Sequence, residues 1–229
     1  QGCFDAEEYH FAAQLQLDVV LHSAWQAEQL LTQHLSRPLA VWLKLDSGMH
    51  RLGMSEAQLR DWHGRLQGAE QVAELNLLSH FACADERGHE LTEQQLGDFL
   101  AVLDLDFAQR SLANSAAVLT IPAAHMDWLR PGIMLYGASS CADLSAAELG
   151  LQPAMSLTAR LLAVREVAAG ESVGYGATWV AERAARIGTV SCGYADGYPR
   201  HAPSGTPVLV GGQRVPLVGR GSMDKIGRA

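Results

Sequence analysis

Little in this sequence points outward to a membrane, a nucleic acid or a metal. Only four cysteines occur among 229 residues. Cys3, Cys83, Cys141 and Cys192 are too widely separated for a CxxC pair or a zinc-ligand spacing, so they read as reduced, structural thiols. No apolar run approaches the ~18 residues of a membrane span, and no signal-like leader opens the chain. Positive charge is in deficit, with 17 Lys+Arg against 25 Asp+Glu for a formal net charge of -8. Without a dense basic run or a stacking motif, nucleic acid is a poor partner. A dinucleotide fingerprint is absent too: Gly174-Tyr-Gly176 lacks the third glycine and follows no strand-to-helix pattern. There is no fixed-period repeat and no low-complexity tract.

What is present is ordinary globular chemistry. At 48% hydrophobic and 18% charged residues, the chain suits one large or two modest domains. Strand and helix patterns alternate through about residue 140. Leu17–Leu21, Val41–Asp46 and Val72–Phe81 read as strands, and 23–35, 55–66 and 92–109 as helices, the last with Leu96, Phe99, Leu100 and Leu103 on one side. Leu112–Leu119 and Leu129–Tyr136 read as two further strand-like pieces. Such alternation predicts a parallel sheet covered by helices, doubly wound or a (β/α)8 barrel. About five units are present where a complete TIM barrel has eight.

After Ser139 the pattern changes. A small-residue stretch behaves as a linker, and Met155–Val167, Ile187–Cys192, Pro207–Val210 and Val215–Val218 read as strands, with Gly211-Gly212 as a tight hairpin turn. The expected organisation is a partial TIM barrel over 1–140, a linker over 141–152 and a truncated β-rich domain over 153–229. The chain starts at Gln1 in what reads as a polar turn, and Lys225–Ala229 completes no evident element, so an internal fragment is expected.

Candidate chemistry gathers at strand ends. Alternation along β-structure puts Trp42, Lys44 and Asp46 on one face and Val41, Leu43 and Leu45 on the other. A lysine in an apolar run must be paired, neutralised or modified, and desolvation is also how an amine becomes nucleophilic; a plain Lys44–Asp46 ion pair is the simplest alternative. Barrel active sites lie at strand C-termini, where Arg51, His80 and Asn114-Ser115 fall. Arg130-Pro-Gly-Ile133 offers backbone N–H groups and a cation for a phosphate. Tyr175 stands between glycines that leave its hydroxyl unshielded. Taken singly, Arg51 could be a solvated loop charge, His80 a satisfied structural group, and Asn114-Ser115, Arg130-Pro-Gly and Gly174-Tyr-Gly176 plain turns.

Taken together, these segments are specific. Lys44-Leu-Asp-Ser-Gly-Met-His-Arg-Leu-Gly53, His80-Phe-Ala-Cys-Ala-Asp85, Asn114-Ser115, Arg130-Pro-Gly-Ile-Met-Leu-Tyr-Gly137, Gly174-Tyr-Gly-Ala177, Gly193-Tyr-Ala-Asp-Gly-Tyr198 and Gly219-Arg-Gly-Ser-Met-Asp224 resemble, in order, the motifs of the pyridoxal-phosphate-dependent alanine racemases. The resemblance covers essentially the whole chain. It implies an N-terminal barrel carrying pyridoxal 5'-phosphate, a C-terminal β domain, and a homodimer in which each β domain completes the partner's site. It assigns the cofactor phosphate to Ser115, Gly132 and Ile133, the pyridine nitrogen to Arg130, and the link between Arg130 and Tyr175 to His80. Arg51 would contact the cofactor's phenolic oxygen and the substrate carboxylate, and the Met223 backbone the same carboxylate. Asn114 and Asp224 would support the site. Lys44 matches a lysine that the family often carries in carbamylated form.

The implied reaction is interconversion of L- and D-alanine, for peptidoglycan supply or for catabolism, by proton transfer between two groups on opposite faces of the α-carbon. Tyr175 resembles one of them. The other, the Schiff-base lysine, lies in the family on a segment without a counterpart here, so the 229-residue chain is expected to be inactive alone. Gly221 also departs from the larger apolar residue usual in the family. No metal is implied, no membrane or nucleic-acid partner is expected, and the expected location is the cytoplasm. Two alternatives remain: a broad-specificity amino-acid racemase of the same fold, and a non-catalytic pyridoxal-phosphate-binding barrel protein.

Overall fold

The computed structural model describes residues 2–228 and divides into two compact units, Gln1–Met155 and Ser156–Ala229. In the first unit, α1 (Ala6–Leu15), β1 (Val19–Leu21), α2 (Ala24–Leu31), β2 (Leu39–Lys44), α3 (Glu56–Leu66), β3 (Val72–Leu78), α4 (Glu90–Ala101), β4 (Arg110–Ser111) and α5 (Ser115–Thr120) follow one another. The four strands form one parallel sheet in the order β1-β2-β3-β4. A parallel bridge from Ser111 to Trp128 adds a fifth position beyond β4. Parallel pairing requires crossovers, and the helices supply them while covering one face.

Alternation along β2 divides its side chains as expected. Val41, Leu43 and Leu45 lie in the core with Leu21, Leu59, Leu66, Leu77 and Phe99, each fully buried large side chain contributing roughly 1.5–3 kcal/mol. Trp42 is on the other face, where its Nε1–H donates to Asp18 Oδ2 at 2.9 Å. Ser55 begins α3 with a capping box through Gln58.

Several local expectations are overturned. Leu112–Leu119 is not a strand. β4 ends at Ser111, and Asn114 caps a short helix by accepting from Ala117 N–H at 3.1 Å, so an alanine-rich apolar run goes helical once capped. Leu129–Tyr136 is not a strand either, because Pro131 and Gly132 interrupt it and Ile133–Tyr136 makes a 3-10 turn. The opening segment is a helix, α1, whose N-cap Asp5 accepts from Glu8 N–H. On α4 the buried side chains are Thr92, Gln95 and Phe99, whereas Leu100 is exposed. Separately, within the stretch 141–152 that joins the two expected domains, buried Cys141 and partly buried Leu144 and Leu149 pack against the core of the first unit.

The second unit is antiparallel. β5 (Leu161–Val167), β8 (Ala185–Val190), β9 (Pro207–Val210), β10 (Gln213–Val218) and β11 (Ile226–Arg228) form a five-stranded sheet in the order β5-β8-β11-β10-β9, and β6 (Ser172–Val173) pairs with β7 (Trp179–Val180). Gly211 (φ 56°) and Gly212 (φ 83°) join β9 to β10 with positive φ at both central positions, as a two-residue hairpin of the primed type demands. Residues after Lys225 do complete an element: β11 pairs with both β8 and β10. Among the described residues no helix is long and apolar enough to cross a membrane.

Candidate active site

At its C-terminal end β2 delivers Lys44, a half-buried side chain whose Nζ has no hydrogen bond or ion pair among the described residues. Burial, then the nearby positive charges of Arg51 and Arg130, hold its pKa below the ordinary lysine value, with Asp46 opposing them. The simple Lys44–Asp46 pair does not form. Asp46 instead accepts from the Gly48 N–H at 3.1 Å, the His50 N–H at 2.9 Å and His50 Nδ1 at 3.0 Å. Burial works to raise the Asp46 carboxyl, but these hydrogen bonds outweigh it and hold the pKa down. The carboxylate thus shapes the loop that carries Arg51. The loop closes through Asp46 N–H to Met54 O and Met54 N–H to Lys44 O, both at 2.8 Å. Gly53 makes that closure possible, since at φ 140° a Cβ there would lie 2.6 Å from Asp46 N. Arg51 itself is exposed.

The end of β3 presents Ser79 and His80 to Arg130. The Arg130 guanidinium donates to Ser79 O and Ser111 Oγ, reaches Leu112 O at 3.4 Å, and lies 3.4 Å from His80 Nδ1. Ser111 Oγ in turn donates to Trp128 O at 2.9 Å. Burial first, then Arg130, Arg51 and Lys44, push the His80 ring down to about 4. His80 is therefore neutral at neutral pH, and with Nδ1 accepting from Arg130 its Nε2 carries the proton.

Beside Arg130, the buried Ser115 hydroxyl accepts the Gly132 N–H at 2.7 Å and the Met134 N–H at 3.4 Å. Its own proton is given to no acceptor among the described residues, and the Ile133 N–H, opening a 3-10 turn, has no intrahelical acceptor. Lys44, Arg51, His80, Ser115, Arg130, Gly132 and Ile133 all belong to the first unit, at the ends of successive parallel strands or just beyond. In the second unit Tyr175 is exposed, in a turn between Gly174 (φ 83°) and Gly176 (φ 74°). The Met223 carbonyl is taken by the Ala195 N–H at 2.8 Å, while Asp224 is exposed and pairs with Lys225 at 2.6 Å. Among the described residues no cluster of His, Cys, Asp and Glu could hold a metal.

Residues 1–140 match the model of the alanine racemase N-terminal domain, and residues 154–227 that of the alanine racemase C-terminal domain. The chain belongs to the alanine racemase family. It is 72% identical to the biosynthetic alanine racemase of Pseudomonas aeruginosa, covering 99% of this chain and 63% of that protein. It is 48% identical to the catabolic alanine racemase of Pseudomonas putida over the same shares. The crystal structure of the P. aeruginosa enzyme superposes with a TM-score of 0.94, covering 99% of this chain and 63% of that one, and that of alanine racemase from Acinetobacter baumannii with 0.88 at 40% identity, covering 100% and 64%. The chain thus spans about 63% of the length of the curated relatives it matches. Its architecture is the alanine racemase fold, part of an α/β barrel followed by a β-rich domain.

Two residues of the site were missed by sequence reasoning: Ser111 and Gln95. Serines at strand ends carry no distinctive signal. Gln95 did have one, because with Leu91 and Phe99 it occupies successive i, i+4 positions, a polar residue inside an apolar stripe.

Proposed function

We propose that the full-length protein interconverts L- and D-alanine on pyridoxal phosphate, as a homodimer whose Tyr175 serves the partner's site. The observation that carries the reading is the fixed Arg130 guanidinium, held by three oxygen acceptors and facing the neutral His80 ring, next to a serine hydroxyl and turn amides suited to a phosphate. The donor set fits the cofactor. The free Ser115 proton and the Gly132 and Ile133 amides would hold the phosphate, with the Gly132 N–H exchanging Ser115 Oγ for a phosphate oxygen. Pyridoxal phosphate, when bound, supplies the electron-withdrawing ring that acidifies the amino-acid α-C–H.

The chain's own residues would do the rest. Arg130 would hold the pyridine nitrogen as a donor that keeps its own proton, which would leave that nitrogen unprotonated and curb side reactions. His80, with a proton on Nε2, could donate to a phenolate and so lower the cost of ionising the Tyr175 supplied by the partner subunit; an ordinary tyrosine pKa of about 10 suits a base poorly. Arg51 would hold the substrate carboxylate together with the Met223 backbone donated by the partner subunit; Asn114 fixes the helix start that presents Ser115, and Asp224 would support the Met223 turn. A second acid–base group is needed on the opposite face. The sequence holds two lysines: Lys44 stands under Arg51 and Arg130, and Lys225 is exposed and paired with Asp224. The 229-residue chain alone is therefore expected not to racemise alanine.

The test is the full-length protein with pyridoxal phosphate. It should interconvert both alanine enantiomers, and Tyr175→Phe should keep the cofactor while losing at least about a hundredfold in rate. Failure of the wild type to racemise alanine while cofactor binds would overturn the reading, and comparable rates on other amino acids would favour a broad-specificity racemase.

A further inference from the structure

Behind Arg130 and His80 lies a buried polar cluster that the reaction does not use directly. Gln95 is fully buried on α4, Ser79 is 1% exposed and Ser47 is 5% exposed. The Gln95 carboxamide spends both ends on backbone: its Nε2 donates to His80 O at 3.0 Å and its Oε1 accepts the Ala82 N–H at 2.9 Å. Nε2 also approaches Ser47 Oγ at 3.4 Å, Ser47 Oγ lies 2.8 Å from Ser79 Oγ, and Ser79 Oγ donates to Leu45 O at 2.8 Å. The backbone of Gly48 packs directly on α4, where a Cβ would come within 3.2 Å of Leu91 Cδ1 and into contact with Gln95 Cγ at 3.5 Å.

We propose that Gln95 is a positioning residue for Arg130 and His80, acting through the backbone of residues 79–82; this rests on reading those two side chains as the cofactor-facing pair. Successive carbonyls at a strand end point to opposite sides. By holding the His80 carbonyl toward α4, Gln95 turns the preceding carbonyl, Ser79 O, toward the Arg130 guanidinium that it accepts from. The same clamp keeps the His80 ring 3.4 Å from Arg130 Nη2. Removing the buried carboxamide would take one partner from each of two part-buried backbone groups, His80 O and Ala82 N–H, and so loosen the segment. A glutamine that merely glued α4 to the sheet would cost stability when removed but would leave the ring's surroundings as they are.

The experiment reads the His80 ring titration in the full-length protein without cofactor, by histidine-labelled NMR, with the His80 signal assigned from its loss in His80→Gln. The charges of Arg130 and Arg51 bear on that ring, and its titration reports how closely they are held. Gln95→Met, similar in volume but unable to hydrogen-bond, should raise the His80 pKa by about one unit, a tenfold gain in proton affinity, and should weaken pyridoxal phosphate binding about tenfold. The control is Phe99→Leu, which loosens α4 in the core and should leave both readings unchanged. An unmoved His80 in Gln95→Met, or an equal shift in Phe99→Leu, overturns the positioning role. Should Gln95→Met fail to fold, Ser47→Ala decides: it removes one partner of Gln95, a shift in the same direction of about threefold in proton affinity supports the role, and none overturns it. The His80 reading needs no catalysis. A full-length protein that shows the shift but fails to racemise alanine refutes the proposed function and leaves the positioning role standing.

Discussion

His80 should make the protein lose stability toward acid in a window set by its surroundings. An ordinary histidine titrates near 6.5, and this one is pushed down to about 4, first by burial and then by Arg130, Arg51 and Lys44. Between those two values the unfolded chain binds a proton that the folded chain refuses. Stability therefore rises with pH through the window and falls as pH drops through it, and the contribution is fully present above 6.5. At 1.36 kcal/mol for each pKa unit a fall of that size sets a ceiling of about 3 kcal/mol, and because the ring is only partly buried solvent screening brings the contribution to about 1–2 kcal/mol. Nδ1 and the His80 carbonyl make separate contacts, with Arg130 and Gln95, so His80→Gln keeps the backbone clamp while removing the titration. Urea unfolding of wild type and His80→Gln from pH 7.5 to 4.5 is the assay, and the difference between the two curves cancels the other histidines. Wild type should lose about 1–2 kcal/mol more than the variant over that range. Parallel curves, or a ring titrating near 6.5, would refute the electrostatic account of this site.

Other sites yield sharp expectations. Asp46→Ala removes the acceptor for three donors of the Arg51 loop and should cost about 2–4 kcal/mol in urea unfolding, whereas Asp46→Asn keeps Oδ1 for both amides and should cost about 1 kcal/mol; because the Asp46 pKa is held low, the gap between wild type and Asp46→Asn should narrow only as pH falls below about 4. Gly53→Ala combines φ 140° with a Cβ 2.6 Å from Asp46 N and should cost more than about 3 kcal/mol or prevent folding. Ser115→Ala should weaken pyridoxal phosphate binding to the full-length protein about tenfold, read by cofactor fluorescence, with a stability cost near 1 kcal/mol.

How much of this was legible in the sequence depended on whether the deciding interaction was local. β2 could be read correctly because Val41, Leu43 and Leu45 alternate with Trp42 and Lys44, and the Gly211-Gly212 turn because two consecutive positive φ values leave few other residues possible. The run after β4 misled because its apolar content suits strand or helix, and the Asn114 side chain on Ala117 N–H decides it. α1 could have been found from Asp5 with Glu8 three residues on, a capping pattern that a polar opening concealed. β11 could not, because a three-residue strand is defined only by the β8 and β10 partners on either side. The site itself divided the same way. Arg51, His80, Ser115 and Arg130 were legible as motifs at strand ends, but the loss of Asp46 to the His50 loop and the Gln95 clamp are matters of three-dimensional register.

Lys44 is where these threads meet. Three cationic side chains, Lys44, Arg51 and Arg130, act on one another and on His80, and the nearest carboxylate, Asp46, is committed to its own loop. An ammonium there is opposed by burial and by both arginines, so its pKa falls. A lowered pKa enlarges the fraction of neutral amine, the form whose nitrogen lone pair can add to the carbon of carbon dioxide, forming an N–C bond and releasing one proton to leave a carbamate. The product replaces an opposed cation with an anion between two arginines, which reverses the sign of both interactions. We therefore expect native mass spectrometry of the full-length protein, prepared without acid, to find one carbon dioxide adduct per chain that Lys44→Gln abolishes. Lys44→Gln should also weaken pyridoxal phosphate binding by severalfold, with partial recovery on adding a small carboxylate such as acetate. An unmodified wild-type Lys44 at neutral pH, with cofactor bound at full strength, would mean that the site tolerates three adjacent cations and that the electrostatic argument for the carbamate is wrong.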